Sequence, residues 1–374
     1  MRSQRYETLD ALRGIAALSV VFWHWQWLYC PPGDATILAD PSIQPFFWIL
    51  APLYRHGFWG VEMFFSIGGF VFFYLYAEAI GQRRVTFATF VNYRFSRLYP
   101  LHILTLLIVT ALQAAYFSHY GAFFIYQLND ARHFVLQLFF ASNWSRQSPF
   151  TFNGPIWSLS IEVMLYAMFF AVAFARLAYP AILAGLALVG ALIFRDYSFI
   201  GQGMLSFFSG GLCFYLVRRW RADRKIDWMA AISMTAVVIG AIAIQRVRHD
   251  LSFAERFTDV VAFPAIIVAL SMNEDRLKPI VSRLRWLGNI SYSSYLIHFP
   301  LAVLLVTTAA YLGIVVNASS PWLLLAYLFV LVTLSLLSFH YFEAPTQRLL
   351  RAFAKSTPIP PADAPEYVIS DHLL

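Results

Sequence analysis

Apolar runs of about 20 residues recur along almost the whole chain, each long enough to cross the hydrocarbon core of a bilayer as a helix. A soluble domain would have to bury ten such runs in one core. Only 13% of the 374 residues are charged and 60% are hydrophobic, against about 25% charged residues in an average soluble domain. The runs fall at residues 12–29, 60–79, 98–118, 157–175, 178–194, 199–217, 228–245, 257–272, 290–312 and 321–340. The fold class this implies is all-α, a polytopic membrane protein of about ten transmembrane helices. The stretch 131–142, "ARHFVLQLFFAS", is too short to cross and is expected to lie in the interface or to re-enter the membrane.

Ten spans put both termini on one side. With the termini in the cytoplasm, nineteen Lys and Arg fall in inner segments, seven in outer ones, and Arg13 in the membrane. Cytoplasmic loops retain cations in this way. An eleventh span at 131–142 would invert everything after it and destroy the bias. The formal charge of +7 is therefore a topology signal, and no nucleic-acid partner is expected. Cys30 and Cys213 lie in or beside apolar runs and support neither a disulfide framework nor a zinc pattern, so no metal is expected. The first run is long and lacks a small-residue cleavage exit, so it is expected to stay as a span. Residues 1–352 then form one membrane-embedded domain. The Pro-rich, polar residues 353–374 are expected to be a disordered cytoplasmic tail.

Ionisable residues inside such spans are functional candidates by default. Arg13 and His24 are eleven residues apart, about 1100° of helix, so both face the same way some 16 Å apart along the axis. Arg13 would sit at the inner end and His24 past mid-membrane. Taken alone, Arg13 could snorkel to the headgroups and His24 could make an interhelical hydrogen bond. Glu62 and Glu162, near the outer ends of their spans, fall in the same outer layer as His24. An imidazole beside a carboxylate is the pairing that orients a general base. Arg94 and Arg97 in "YRFSRLYPLH" share a face at the start of the third span. There a helix N-terminus adds its own pull on anions, and two forked guanidiniums can clamp phosphates. An ordinary positive-inside anchor is the plainer alternative. In "LGNISYSSYLIHFPL", Tyr295 and His298 share a face, with Ser291 and Tyr292 nearby. His340 and Glu343 close the last span. The long outer loop, 119–155, is rich in aromatics and amides, which suit sugar rings or a membrane interface.

Taken together, these motifs resemble the acyltransferase family 3 of integral membrane acyltransferases. "LDALRGIAALSVVFWHW" resembles the family's L-D-x-L-R-G-x-A-A … H opening. "GVEMFFSIGGF" resembles G-V-D-x-F-F-x-x-S-G-F, with Glu62 where Asp is usual and Gly68 where Ser is usual. "RFSRLYPLH" resembles R-x-x-R-x-x-P. "WSLSIEVMLY" resembles W-S-L-x-x-E-x-x-F-Y, with Leu165 in place of Phe. "LGNISYSSYLIHFPL" and "YFEAP" resemble the family's last two signatures. The likeness covers roughly residues 7 to 350 and is closest to the stand-alone members, which lack a fused extracytoplasmic hydrolase-like domain. It implies a multi-pass protein of the bacterial inner (cytoplasmic) membrane. The implied reaction moves an acyl group, usually acetyl, from cytoplasmic acyl-CoA to a hydroxyl of an extracytoplasmic carbohydrate acceptor. Carried over by position, Arg13 and His24 are the essential pair, Arg94 and Arg97 the contacts to CoA phosphates, and Glu162 a further site residue.

In the scheme these readings support, neutral His24 takes the acceptor's proton while Glu162 or Glu62 orients its ring. Trp157, Ser158, Ser160 and Tyr295 are candidates for the oxyanion donor. Trp157, Ser160, Tyr295 and His298 are the expected substrate contacts. A covalent route through acetyl-His24 is the second chemical option. The competing function is a proton-coupled transporter of a small polar or anionic solute, since intramembrane Arg, His and Glu also serve as proton relays. Such folds often carry internal repeats, and the Arg-to-His opening has no counterpart in the second half of this chain.

Overall fold

The computed structural model describes residues 5–35, 40–145, 150–194, 196–222 and 258–353. Every regular element among them is helical. The helices are α1 (Glu7–His24), α2 (Phe47–His56), α3 (Gly60–Leu75), α4 (Ala77–Gly81), α5 (Phe87–Tyr120), α6 (Ala131–Leu138), α7 (Trp157–Phe174), α8 (Pro180–Ile193), α9 (Ser198–Ala222), α10 (Phe263–Met272), α11 (Glu274–Val281), α12 (Arg285–Asn289), α13 (Ser291–Leu312), α14 (Pro321–Leu337) and α15 (Ala344–Phe353). Among the described residues, six stretches are long and apolar enough to cross a bilayer: Phe47–Leu75, Phe87–Tyr120, Gly154–Phe174, Ser198–Arg221, Ser291–Tyr311 and Pro321–Ala352. Pro180–Ile193 and Thr258–Met272 are apolar but shorter. Helix α1 carries three charges, Glu7, Asp10 and Arg13, and runs on as a 3-10 turn over Trp25–Tyr29. The expected span at 228–245 and the tail from 354 lie outside the described residues.

Two helix starts differ from the sequence reading. The second run does not begin at residue 60. A helical segment, Phe47–His56, leads into it through a 3-10 turn at Gly57–Trp59, and Trp48 on it is 81% exposed, as a lipid-facing tryptophan would be. Helix α5 begins at Phe87, where the Thr86 hydroxyl accepts from the backbone N–H of Thr89 (3.2 Å) as an N-cap. Arg94 and Arg97 therefore lie two to three turns inside the helix. The expected contribution of a helix N-terminus to anion binding is lost, because that dipole end acts only within the first turn.

Close backbone contacts set how the helices rotate. A Cβ on Gly69 of α3 would stand 1.8 Å from the Phe207 carbonyl oxygen of α9, and one on Gly210 of α9 would stand 1.9 Å from that of Ser66 of α3. Small residues facing each other let membrane helices approach this closely. Phe70, Phe73, Phe169, Phe207 and Phe208 are fully buried around the crossing. Helix α1 lies against α3 on one side and α12 and α13 on another. Gly288 of α12 sits where a Cβ would be 2.5 Å from the Asp10 carbonyl oxygen. The first turn of α1 is capped from afar: the buried Glu274 carboxylate accepts from the N–H of Glu7 (2.8 Å) and of Thr8 (3.1 Å) and from the Thr8 hydroxyl (2.5 Å).

The segment between α5 and α7 folds over the end of α5. The eight-residue α6 is too short to span. Asp130 caps it by accepting from the N–H and the ring Nδ1 of His133, both at 2.9 Å, and these bonds hold its carboxyl below the usual carboxylate range. His102 of α5 donates from Nε2 to the Gln137 carbonyl (2.8 Å). Gln113 brackets Phe124, donating to its carbonyl (3.0 Å) and accepting from its N–H (2.9 Å). Asn129 donates to Tyr126 (2.8 Å) and Asn153 to Leu296 (3.2 Å). Of the loop amides that suited a sugar surface in the sequence, Gln127 and Asn129 thus hydrogen-bond the loop's own backbone.

Candidate active site

A cavity of about 110 Å³ opens inside the bundle between α1, α3, α5, α7 and α13. Three guanidiniums reach it, each held by a different device. Arg94, buried, lies 4.9 Å from the Phe72 ring centre, 5.4 Å from Tyr76 and 5.8 Å from Tyr166. Its Nη2 donates to the Tyr76 hydroxyl at 3.1 Å. Aromatic faces attract a cation without consuming its N–H groups. Arg97, also buried, lies 5.4 Å from the Tyr292 ring and within electrostatic reach of Glu343. Arg13 donates from Nη2 to the Gly288 carbonyl (3.1 Å) and lies 3.6 Å from Asp10 Oδ1. The close approach of Gly288 to α1 is what brings that carbonyl to Arg13.

Each arginine keeps a buried nitrogen with no hydrogen-bond partner: Nε of Arg13, Nε of Arg94 and Nη1 of Arg97. All three side chains line the same cavity, and a cluster of three cations around one space suits an anion. Glu162 is the carboxylate of this cavity. It accepts from the Tyr166 hydroxyl one turn further on and interacts with Arg94, Arg13 and Arg97. Its depth along the span suggested a layer shared with His24. Its contacts place it at the level of the arginines instead.

His24 has a different neighbour. Its Nδ1 lies 2.7 Å from Nε2 of His298 on α13. The two rings are nearly parallel, 10° apart with centres 4.9 Å apart, and His24 stacks on Trp27 at 3.8 Å. The space left between these groups is about 10 Å³. The partner expected from sequence was Glu62 or Glu162. Glu62 accepts from Gln202 of α9, and the His24 bond goes to an imidazole. The reason is register: α3 presents Glu62 to α9, whereas α13, the helix against this face of α1, carries His298 at the level of His24.

Tyr295 joins the two regions. It lines the arginine cavity and its ring centre is 5.8 Å from that of His298. Its hydroxyl donates to the Pro155 carbonyl (2.8 Å) and lies 2.8 Å from Ser158 Oγ. Ser158 also lines the cavity. Ser160 is engaged elsewhere: its hydroxyl accepts from the Asn143 N–H (3.1 Å) and its carbonyl from Trp144 Nε1 (2.8 Å). Trp157 packs on Phe199 with ring centres 4.4 Å apart. These two hold the outer loop and helix α9, outside the cavity lining. Of the Phe72, Tyr76 and Tyr166 cage around Arg94, only Tyr166 lay in a quoted motif, and none was given a role from the sequence. Tyr166 was legible, since i,i+4 spacing puts it beside Glu162; Phe72 and Tyr76 carried no signal among so many aromatics. Among the described residues no group of three or more His, Cys, Asp or Glu is disposed to hold a metal.

The profile of the acyltransferase family 3, described as an acyltransferase domain, matches residues 6–340. A curated relative, "Protein 2 in picA locus" of Rhizobium radiobacter, is 32% identical over 114 residues. That stretch is 30% of this chain and 47% of the relative, so the chain spans about half the length of the curated protein it matches. No solved structure matches. A profile match over nearly the whole chain, across the helices that carry Arg13, His24, Arg94, Arg97, Glu162 and His298, means that the chain belongs to the acyltransferase family 3 of integral membrane acyltransferases.

Proposed function

We propose that this acyltransferase moves an acyl group, acetyl in the simplest case, from cytoplasmic acyl-CoA to a hydroxyl of a carbohydrate acceptor on the other side of a bacterial inner membrane. Both termini then lie in the cytoplasm, and the cation bias of the loops supports that orientation. The observation that carries the reading is the convergence of three arginine side chains, from two helices, on one cavity. Arg94, Arg97 and Arg13 hold the phosphates of the donor there by charge-assisted hydrogen bonds. Glu162 balances the arginines when the site is empty, with Tyr166 fixing its carboxylate.

About 16 Å of α1 separates Arg13 from His24, a length the pantetheine arm can bridge. The thioester then stands beside His24. The acceptor hydroxyl gives its proton to His24 as its oxygen attacks the thioester carbonyl carbon. The carbon–sulfur bond breaks, and His24 returns the proton to the leaving thiolate. Ser158 and Tyr295, hydrogen-bonded beside the cavity, are the candidates to donate to the oxyanion, and either would have to turn its O–H away from the Pro155 carbonyl to do so.

Two measurements on protein in lipid nanodiscs test this. CoA and acetyl-CoA should raise the unfolding temperature, a ligand at 100 times its Kd adding about 2.7 kcal/mol of stability. Radiolabelled acetyl-CoA should pass its label to a carbohydrate acceptor. No thermal shift together with no transfer overturns the reading. Stable label on the enzyme without acceptor would replace direct attack by an acetyl-His24 intermediate.

A further inference from the structure

We propose that His298 is a positioning residue that sets the tautomer of His24, so that His24 presents a bare Nε2 to the acceptor hydroxyl. The inference rests on His24 acting as the base, as proposed above, and on the contact between two imidazoles where the sequence suggested a carboxylate.

Only one proton can lie between His24 Nδ1 and His298 Nε2, 2.7 Å apart. Which nitrogen carries it is decided at the far side of His298. With Nε2 turned to His24, Nδ1 of His298 is buried without a formed hydrogen bond. The ring stands toward the carbonyls of Ser294 and Tyr295 on its own helix. Carbonyls only accept, and a ring lone pair aimed at two of them would be repelled, so Nδ1 of His298 carries its proton. Neutral imidazole has one N–H, so Nε2 of His298 is the acceptor. His24 then holds its proton on Nδ1 and donates it to His298. The lone pair of His24 is left on Nε2, which no other hydrogen bond engages among the described residues.

The surroundings keep both rings in place. Trp27 stacks on His24 at 3.8 Å. The Tyr327 hydroxyl donates to the His298 carbonyl at 2.5 Å. When His24 takes the acceptor's proton on Nε2, its Nδ1–H remains bonded to His298, so no ring has to turn during transfer. A carboxylate in the same place would orient the ring equally well, but would add a negative charge in a space of about 10 Å³ walled by Trp27, Phe299 and Tyr327.

The test combines spectroscopy with a rescue. Protein labelled with ring-15N histidine, in nanodiscs at a pH where imidazole is neutral, should show His24 protonated at Nδ1 and bare at Nε2. The signal is identified by its loss in His24→Gln. In transfer assays His298→Ala should lower kcat by roughly 10- to 100-fold, less than the 100- to 10,000-fold worth of the general base itself, with an unchanged KM for acyl-CoA. His298→Gln, whose amide oxygen can accept from Nδ1–H, should recover most of that loss. An Nε2–H tautomer of His24, or equal kcat in all three proteins, overturns the proposal. Should His298→Ala not fold, the tautomer and the glutamine variant still decide. If wild-type protein transfers nothing from acyl-CoA while His24 shows the Nδ1–H tautomer, the functional reading falls and the tautomer assignment stands.

Discussion

The arginine cavity and the histidine pair share two helices, α1 and α13, yet they are built in opposite ways. The cavity holds about 110 Å³ of space, three arginine side chains, and walls of tyrosine and phenylalanine. The histidine pair has about 10 Å³ of space and two rings locked by a hydrogen bond and a stacked tryptophan. The first is a chamber lined by cations, with room for an anion. The second is closed around its own contacts, with both rings held in one geometry, as groups that must meet a transition state need to be. Binding and chemistry are thus separated along α1, with Tyr295 touching both.

Substitutions should separate the two regions. The largest effect is expected for His24→Ala: acyl transfer should fall by roughly 100- to 10,000-fold, the usual worth of a general base, while CoA still raises the unfolding temperature. Loss of the CoA shift in this variant would mean that the regions are not separate. Next, Arg94→Ala and Arg97→Ala should each raise the KM for acyl-CoA by about 10- to 100-fold, since a hydrogen bond to a charged group is worth about 1.5–3 kcal/mol. At saturating donor kcat should change little. A fall in kcat alone would move these residues from binding to chemistry.

Gly288→Ala tests the support of the cavity. A Cβ there meets the Asp10 carbonyl at 2.5 Å, so α12 must shift from α1 and take with it the carbonyl that Arg13 uses. Overpacking of this kind costs about 1–3 kcal/mol. It should appear as a lowered melting temperature and a several-fold weaker CoA affinity. The smallest effect is expected for Glu162→Gln, which removes the cavity's own carboxylate while keeping an acceptor for Tyr166. CoA should bind a few-fold more tightly as the phosphates lose a like-charged neighbour. Weaker binding would show instead that Glu162 holds the arginines in position.

Much of this is legible in the amino-acid sequence. Hydrophobic run lengths declare a helical membrane protein. Helical arithmetic places Arg13 and His24 on one face. The rarity of ionisable residues in apolar runs singles out Glu162, Arg94 and Arg97. Partners are what the sequence conceals. Counting along each run aligns Glu162 with His24, but how far one helix slides along another is written in neither run, and Glu162 meets the arginines. The first apolar residue of the third run is not the start of α5, because the cap at Thr86 lies further back and the mixed polar and apolar residues 87–97 continue the helix for about three turns.

The sequence by itself determined the membrane class, the family motifs and the residues carrying the unusual chemistry, because each is a property of one segment and its period. Only the tertiary structure decided that His24 meets His298 rather than a carboxylate, that three arginines from two helices share one cavity, and that Gln127 and Asn129 of the outer loop serve the loop itself. Those outcomes depend on helix rotation and register. Both are set where backbones touch, at Gly69 against Phe207, Gly210 against Ser66 and Gly288 against Asp10, and a contact between distant residues leaves no periodic trace in either segment.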